Sequence, residues 1–86
     1  MEPSITLSDL HIGQSAVVRR LNNSAPMRRR LLDIGLVPNS VVSCVGISPG
    51  GDPAAYRICR AIVAIRREES RLVQVCPLEG AELPWV

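Results

Sequence analysis

The chain has 86 residues, a net charge of +2 and 47% hydrophobic residues. This length allows a single domain, and a chain this short buries only about 60–65% of its unfolded surface when it folds. Because the sequence has no Phe, one Tyr and one Trp, it excludes an aromatic base-stacking surface. The core must be built from Val, Ile, Leu and Ala.

Neither a membrane span nor a secretory signal is visible in the sequence. The longest apolar run, residues 61–65, is far shorter than the roughly 20 residues that cross a bilayer. Residues 1–4 are acidic and contain a proline, unlike a basic, apolar leader. We therefore expect a cytoplasmic protein. The three cysteines, Cys44, Cys59 and Cys76, lack the short spacing of a metal or disulfide framework, and we expect them to be buried as small hydrophobic side chains.

The first elements are short. Leu7 and Leu10 lie three residues apart, which predicts one helical turn, capped by Ser8 and ended by Gly13. The β-branched run over residues 16–21 then predicts a strand, because the turn-forming segment Asn22-Asn23-Ser24 follows it.

The clearest element is a helix over residues 25–34. Ser24 is a good N-cap, and Pro26 stands in the first turn, where its missing N–H donor is not needed. Met27, Leu31 and Ile34 recur at helical spacing and predict a buried stripe. The residues predicted to end the helix are Gly35, Leu36 and Pro38.

The rest of the chain is typical of β-structure. Residues 48–53 form a dense turn cluster of Pro, Gly and Asp, and residues 66–70 form a charged turn. Between and around them the pattern predicts strands over residues 41–47, 56–59, 61–65 and 72–75. Five short strands with one inserted helix predict a mainly β fold, a small β-barrel.

No catalytic constellation is apparent, so we expect no enzyme and no bound cofactor. The single histidine, His11, lies beside a glycine, and the carboxylates are scattered through turns and helix ends. A metal ion needs several converging ligands, and no pair of candidates has metal-ligand spacing. We therefore predict no metal site, although a weak surface site remains an alternative.

Nucleic-acid binding is a second alternative. All ten basic residues are Arg, including Arg28–Arg30 at the start of the helix and Arg66–Arg67 in the charged turn. Such runs can bind phosphates. Because the net charge is small and acidic residues are interleaved, we interpret the arginines as a solvated helix face, and we expect no nucleic-acid partner.

Four segments resemble the FeoA family. Residues 28–38 resemble its R-x-x-L-x-x-L/M/I-G-L/M-x-P-G core, and Leu7, Leu10 and Gly13 resemble its L-x-x-L-x-x-G pattern. Residues 48–53 resemble its A-P-x-G-D-P loop, and residues 64–69 its closing L-R-x-x-E/D run. One departure is Asn39, which stands where the family has glycine, but Asn also tolerates left-handed backbone angles.

The resemblance implies an SH3-like barrel over residues 1–76, followed by an irregular tail over residues 77–86 that contains Trp85. It also implies a cytoplasmic accessory or regulatory protein of bacterial ferrous iron uptake. Its partner would be FeoB, the membrane ferrous iron transporter, on the cytosolic GTPase side. A metal-responsive module that works with a DNA-binding partner, a weak iron-binding protein and a homo-oligomer remain alternatives.

We expect docking to centre on the helix and its exit. Arginines beside an exposed apolar side chain are typical of interface hot spots, and the candidates are Arg29, Arg30, Leu32, Leu36 and Pro38. Leu32 lies off the buried stripe, so it is either an exposed anchor or a wider part of the core. The loop over residues 49–53 is the second candidate surface.

Overall fold

The computed structural model of the protein describes residues 4–78. It contains one six-stranded antiparallel sheet with the strand order β1-β6-β2-β3-β4-β5. The strands are β1 (Ile5–Thr6), β2 (Ser15–Leu21), β3 (Val41–Ile47), β4 (Ala54–Ile58), β5 (Ala61–Ile65) and β6 (Val73–Pro77). The helices are α1 (Ala25–Asp33), the single turn α2 (Arg67–Ser70) and a 3-10 turn (Leu7–Asp9).

The predicted mainly β fold with one inserted helix is confirmed. The five predicted strands correspond to β2 through β6, and β1 is additional. A single core includes residues from five strands, α1 and the 3-10 turn, with Val18, Val42, Ile58 and Val75 fully buried. Among residues 4–78, no helix is long and apolar enough to span a bilayer.

The exit of α1 forms as the sequence predicts. Gly35 takes a φ of +105°, its N–H donates to the Leu32 carbonyl at 3.0 Å, and the Leu36 N–H donates to the Leu31 carbonyl at 3.0 Å. This pair of bonds is the Schellman motif, and it fixes where the chain leaves the helix. Asn39 also takes a left-handed φ of 76°, as expected where the family has glycine.

The predicted buried stripe of α1 is partly wrong. Leu31 is buried and Met27 is partly buried, but Ile34 is 37% exposed. Ile34 is the C-cap residue, where the helical backbone ends, so the helical periodicity no longer sets its direction. Leu36 is fully buried instead. The core contact that the pattern assigned to residue 34 is made two residues later.

Hydrogen bonds that the sequence did not indicate change two turns. The predicted charged turn over residues 66–70 contains α2, whose first N–H, from Arg67, donates to the Asp52 Oδ1 at 2.9 Å. Asp52 therefore links the β3–β4 turn to the start of α2. Similarly, Thr6 rather than Ser8 caps the 3-10 turn, because its N–H donates to the Asp9 Oδ2 at 2.9 Å.

The cysteines occupy three different environments. Cys44 is buried as predicted, and Cys76 is half-buried in β6. Cys59 is exposed, so the prediction of a buried side chain is wrong there. Its φ of 57° lies in the left-handed region, because it begins the two-residue turn that joins Ile58 to Ala61.

The predicted end of the domain at residue 76 lies one residue before the end of β6. Leu78 follows the strand, and its N–H donates to the Ser15 carbonyl at 2.9 Å. The predicted irregular tail, including Trp85, lies outside the described residues from residue 79 onward.

Candidate docking surface

Helix α1 presents an arginine-rich outer side. Ser24 precedes the helix and Pro26 stands in its first turn, which satisfies the local requirements of a helix start without a side-chain cap. Leu31 holds the helix to the core, and Arg28, Arg29 and Arg30 are all exposed. Because successive helix residues point about 100° apart, the three guanidinium groups cover different faces of the helix.

Arg30 lies in a groove between α1 and the edge strand β5. The groove has a volume of about 460 Å³ and is lined by Met27, Leu31 and Ile34 from the helix and by Val63, Ala64 and Ile65 from the strand, with Arg30, Arg66, Glu68 and Glu69 as its charged residues. This volume is within the range of about 300–1,000 Å³ that is typical of ligand clefts. The groove therefore combines an apolar floor with a charged rim.

Arg29 and Leu32 lie in a separate depression on another side of α1, together with Ala25, Pro26 and Arg28. Leu32 is partly buried and packs against the core. Its remaining surface lines the depression, so the two predicted roles of Leu32 are combined in one side chain.

The other two predicted docking residues differ from each other. Leu36 is fully buried, so it cannot contact a partner, and its inclusion in the predicted surface is wrong. The physical reason is the Schellman motif, which turns the residue after Gly35 back toward the core. Pro38 is exposed in the loop that leads to β3. The structure thus divides the predicted set between two faces of α1, the core and the exit loop.

The sequence did not predict the contribution of β5 to the groove. Val63 and Arg66 line it, but nothing local in residues 61–66 indicates that the strand lies beside α1. A signal in the sequence was Ile34, an apolar residue directly after the last helical residue. It lines the groove together with β5. The predicted second surface, residues 49–53, forms the β3–β4 turn, in which Asp52 is engaged with α2.

The electrostatic state of the surface is simple. Within residues 4–78 the structure shows no ion pair with a carboxylate for the guanidinium groups of Arg29, Arg30, Arg60 or Arg66. The Glu69 Oε1 accepts a hydrogen bond from the Asn23 Nδ2 at 2.9 Å, and Glu68 is exposed. The guanidinium groups around α1 and β5 therefore keep their donors for solvent or a partner.

No catalytic or metal arrangement emerges from the described part of the chain. Among residues 4–78 no three His, Cys, Asp or Glu side chains come together closely enough to hold a metal ion. Burial raises the pKa of Tyr56 above its usual value, and the neighbouring Ser70 side chain opposes the rise. Tyr56 is a core residue, and its hydroxyl donates to the Leu7 carbonyl at 3.4 Å.

These features define a small SH3-like β-barrel with an exposed helix. The model of the FeoA domain matches residues 5–77. The chain therefore belongs to the FeoA family.

Three relatives show the extent of the similarity. The solution structure of FeoA from Chlorobium tepidum is 32% identical with a TM-score of 0.84, over 88% of this chain and 72% of that one. The crystal structure of Stenotrophomonas maltophilia FeoA complexed with zinc is 33% identical with a TM-score of 0.74, over 83% of this chain and 88% of that one. It is described as a prokaryotic SH3 domain protein and a candidate ferrous iron transport activating factor.

The third relative is a fusion protein from Porphyromonas gingivalis, named as Fe(2+) transport protein A joined to the Fe(2+) transporter FeoB. It is 36% identical to this chain over 69 residues, which are 80% of this chain and 8% of the fusion protein. The chain thus spans about one twelfth of the length of that relative. In that protein the FeoA part and the transporter are covalently joined.

Proposed function

We propose that this protein is a small cytoplasmic accessory protein of bacterial ferrous iron uptake that docks on the cytosolic GTPase side of the transporter FeoB. The observation that carries this proposal is the Porphyromonas gingivalis fusion, in which a 36% identical segment belongs to the same chain as FeoB. Genes for proteins that act together can fuse, because a covalent link raises the effective concentration of one partner near the other.

The surface of α1 supports the proposal. Arg29 and Arg30 are exposed, and each lies beside an apolar depression or groove. Buried apolar contacts surrounded by arginines are a frequent composition of binding hot spots. The docking residues are therefore Arg29, Arg30, Leu32 and Pro38, without the buried Leu36.

The direct test is a titration of the whole protein with the cytosolic GTPase region of the ferrous iron transporter from the same genome. The titration is run with GDP and with a non-hydrolysable GTP analogue. We expect saturable binding in at least one nucleotide state. Absence of binding in both states at high micromolar concentration would contradict docking on this region.

Charge reversal locates the surface. Arg29→Glu should weaken binding by about tenfold or more, since like charges brought together at an interface cost several kcal/mol. The matched control is Arg20→Glu, because Arg20 is also exposed but belongs to β2, three strands from β5 in the sheet. Equal losses in the two variants would show only a general effect of net charge and would remove α1 from the proposal.

A further inference from the structure

Strand β5 is an edge of the sheet and pairs on one side only, with β4. The turn of two residues makes Ile58 and Ala61 a hydrogen-bonded pair, and such pairs alternate along an antiparallel ladder. Hence Tyr56 and Val63 exchange bonds, whereas the backbone groups of Ile62 and Ala64 point away from β4. Within residues 4–78 no backbone group or side chain bonds to that outer side of Ile62 or Ala64.

The groove beside α1 reaches the outer side of β5, because three consecutive strand residues line it although their side chains alternate between the faces of the sheet. Val63 and Ile65 line this groove opposite Met27 and Ile34. An extended segment laid along β5 would therefore bond to Ile62 and Ala64 while every second side chain entered the apolar floor. Strand addition of this kind takes its affinity from main-chain bonds and its specificity from alternate side chains.

Charges at the two ends of β5 indicate which segment fits. Arg60 precedes the strand and Arg66 follows it, and both are exposed. An antiparallel second copy centred on Val63 would place Arg60 of each chain opposite Arg66 of the other, and like charges directly opposite are destabilising. The same two arginines would attract acidic residues at both ends of an incoming strand.

The acidic residues nearby do not cancel this preference. Glu69 accepts a hydrogen bond from Asn23, which directs its carboxylate toward the connection between β2 and α1. Glu68 lies in α2, beyond the end of the strand. Both line the groove, but they follow Arg66 in the chain, so neither is a cross-strand partner of positions 1 to 7.

We propose that β5 accepts an extended, acid-flanked segment of a partner protein as an antiparallel seventh strand. The segment has acidic residues at positions 1 and 7, opposite Arg66 and Arg60, and apolar residues at positions 2, 4 and 6, over the groove. This inference deepens the docking described above and rests on it for the source of the segment, which is the transporter. The strand-binding edge itself can be tested without the transporter.

The test uses a blocked heptapeptide, Glu-Val-Thr-Val-Thr-Val-Glu, and a control in which both Glu are replaced by Lys. Nuclear magnetic resonance titration of the whole protein should show shifts at the Ile62 and Ala64 amides, and slower hydrogen exchange at both. Opposite-charge and like-charge cross-strand pairs each change stability by roughly 0.2–1 kcal/mol, so the Glu peptide should bind at least about fourfold more tightly. Equal affinity of the two peptides would overturn the proposal.

Two variants separate main-chain pairing from adhesion to the groove. Ala64→Pro removes one outward N–H without touching the β4 ladder, which is where an edge strand tolerates proline. It should weaken binding of the Glu peptide at least about tenfold, because the peptide carbonyl that accepts from this N–H loses its donor. The matched Ala64→Thr variant should bind the Glu peptide as tightly as the parent protein. Parent-like binding by a folded Ala64→Pro protein would contradict strand addition. If Ala64→Pro does not fold, Arg60→Glu is the alternative variant. It should reduce the ratio of the affinities for the Glu peptide and the Lys peptide.

The remaining outcomes are also informative. Slow exchange of the Ile62 and Ala64 amides in the free protein would overturn the proposal, because the edge would already be occupied. Exchange rates that depend on protein concentration would identify a second copy as the occupant. Rates independent of concentration would identify a segment of the same chain, residues 79–86. Peptide binding without transporter binding would contradict the docking proposal but leave the edge site standing. Transporter binding that Ala64→Pro does not change would preserve docking and overturn the strand.

Discussion

The two edges of the sheet differ in how they end. At one edge, β1 has only two residues, and the chain turns directly into the 3-10 turn, where Leu7 is fully buried and Thr6 is bonded to Asp9. At the other edge, β5 has five uncharged residues beside an open groove. Short, covered edges prevent unwanted strand pairing. The comparison indicates that β1 ends in local structure, whereas the outer side of β5 carries no hydrogen bond from residues 4–78.

Leu7→Ala at the closed edge tests this difference with the largest expected effect. Removing a fully buried leucine side chain leaves a cavity and should destabilise the protein by about 2–5 kcal/mol. The measurement is the free energy of unfolding in urea. The control is Ile62→Ala at the open edge, where the side chain is 59% exposed, and a surface change of this kind should stay within about 0.5 kcal/mol. Similar losses in the two variants would contradict the difference between the edges.

The second variant, Gly35→Ala, disturbs the support of the open edge. A Cβ at residue 35 would lie 2.9 Å from the Cys59 Sγ, and the φ of +105° is unfavourable for alanine. The left-handed backbone alone costs roughly 1–2 kcal/mol, so we expect a total loss of about 2–3 kcal/mol in urea unfolding.

The clash with Cys59 can be separated from the backbone strain. In a double-mutant cycle with Cys59→Ala, contacting residues show coupling of about 0.5–3 kcal/mol, and we expect the second change to recover part of the loss. Strictly additive changes in the free energy of unfolding would show that residue 35, at the end of α1, has no energetic contact with Cys59 in the β4–β5 turn.

The smallest expected effect concerns Tyr56, which joins the strand beside the open edge to the closed edge through its bond to the Leu7 carbonyl. At neutral pH, Tyr56→Phe should cost less than about 1 kcal/mol, because a 3.4 Å hydrogen bond is long. At high pH the two proteins should differ in a second way.

Burial raises the pKa of Tyr56 above its usual 10.0, so the folded protein holds this proton more tightly than the unfolded chain. The stability from this group is complete below about pH 10 and is lost as the pH rises through the raised pKa. The sequence has no lysine and one tyrosine. Thiols also ionise in alkaline solution, but Tyr56→Phe retains all three cysteines, so the comparison isolates the tyrosine. The fall in the thermal midpoint above pH 10 should be weaker in Tyr56→Phe, and equal falls would contradict this assignment.

The parts of the fold that the sequence predicted depend on neighbouring residues. Helix α1 and its exit follow from Pro26, Gly35 and the spacing of apolar residues, and β3 and β5 end where the β-branched runs end. Strand β1 was not predicted, because two residues carry no periodicity. Helix α2 was not predicted either, since its first N–H bonds to Asp52, 15 residues earlier in the chain.

The surface now proposed for docking overlaps the predicted one only in part, for a related reason. The sequence identified the exposed Arg29 and Arg30, because both belong to a strongly predicted helix. It misplaced Leu36, whose direction is set by the Schellman motif, and it missed Val63, which the sheet order brings beside α1. Tertiary neighbours cannot be read from local spacing.

The most direct measurement is residue-resolved amide hydrogen exchange of this protein, alone and with the cytosolic region of the ferrous iron transporter. Our account predicts slower exchange in α1 and at Ile62 and Ala64 on the outer edge of β5, with no change around β1 and Leu7. Protection centred on β1 and the 3-10 turn, or no protection anywhere under saturating conditions, would contradict it.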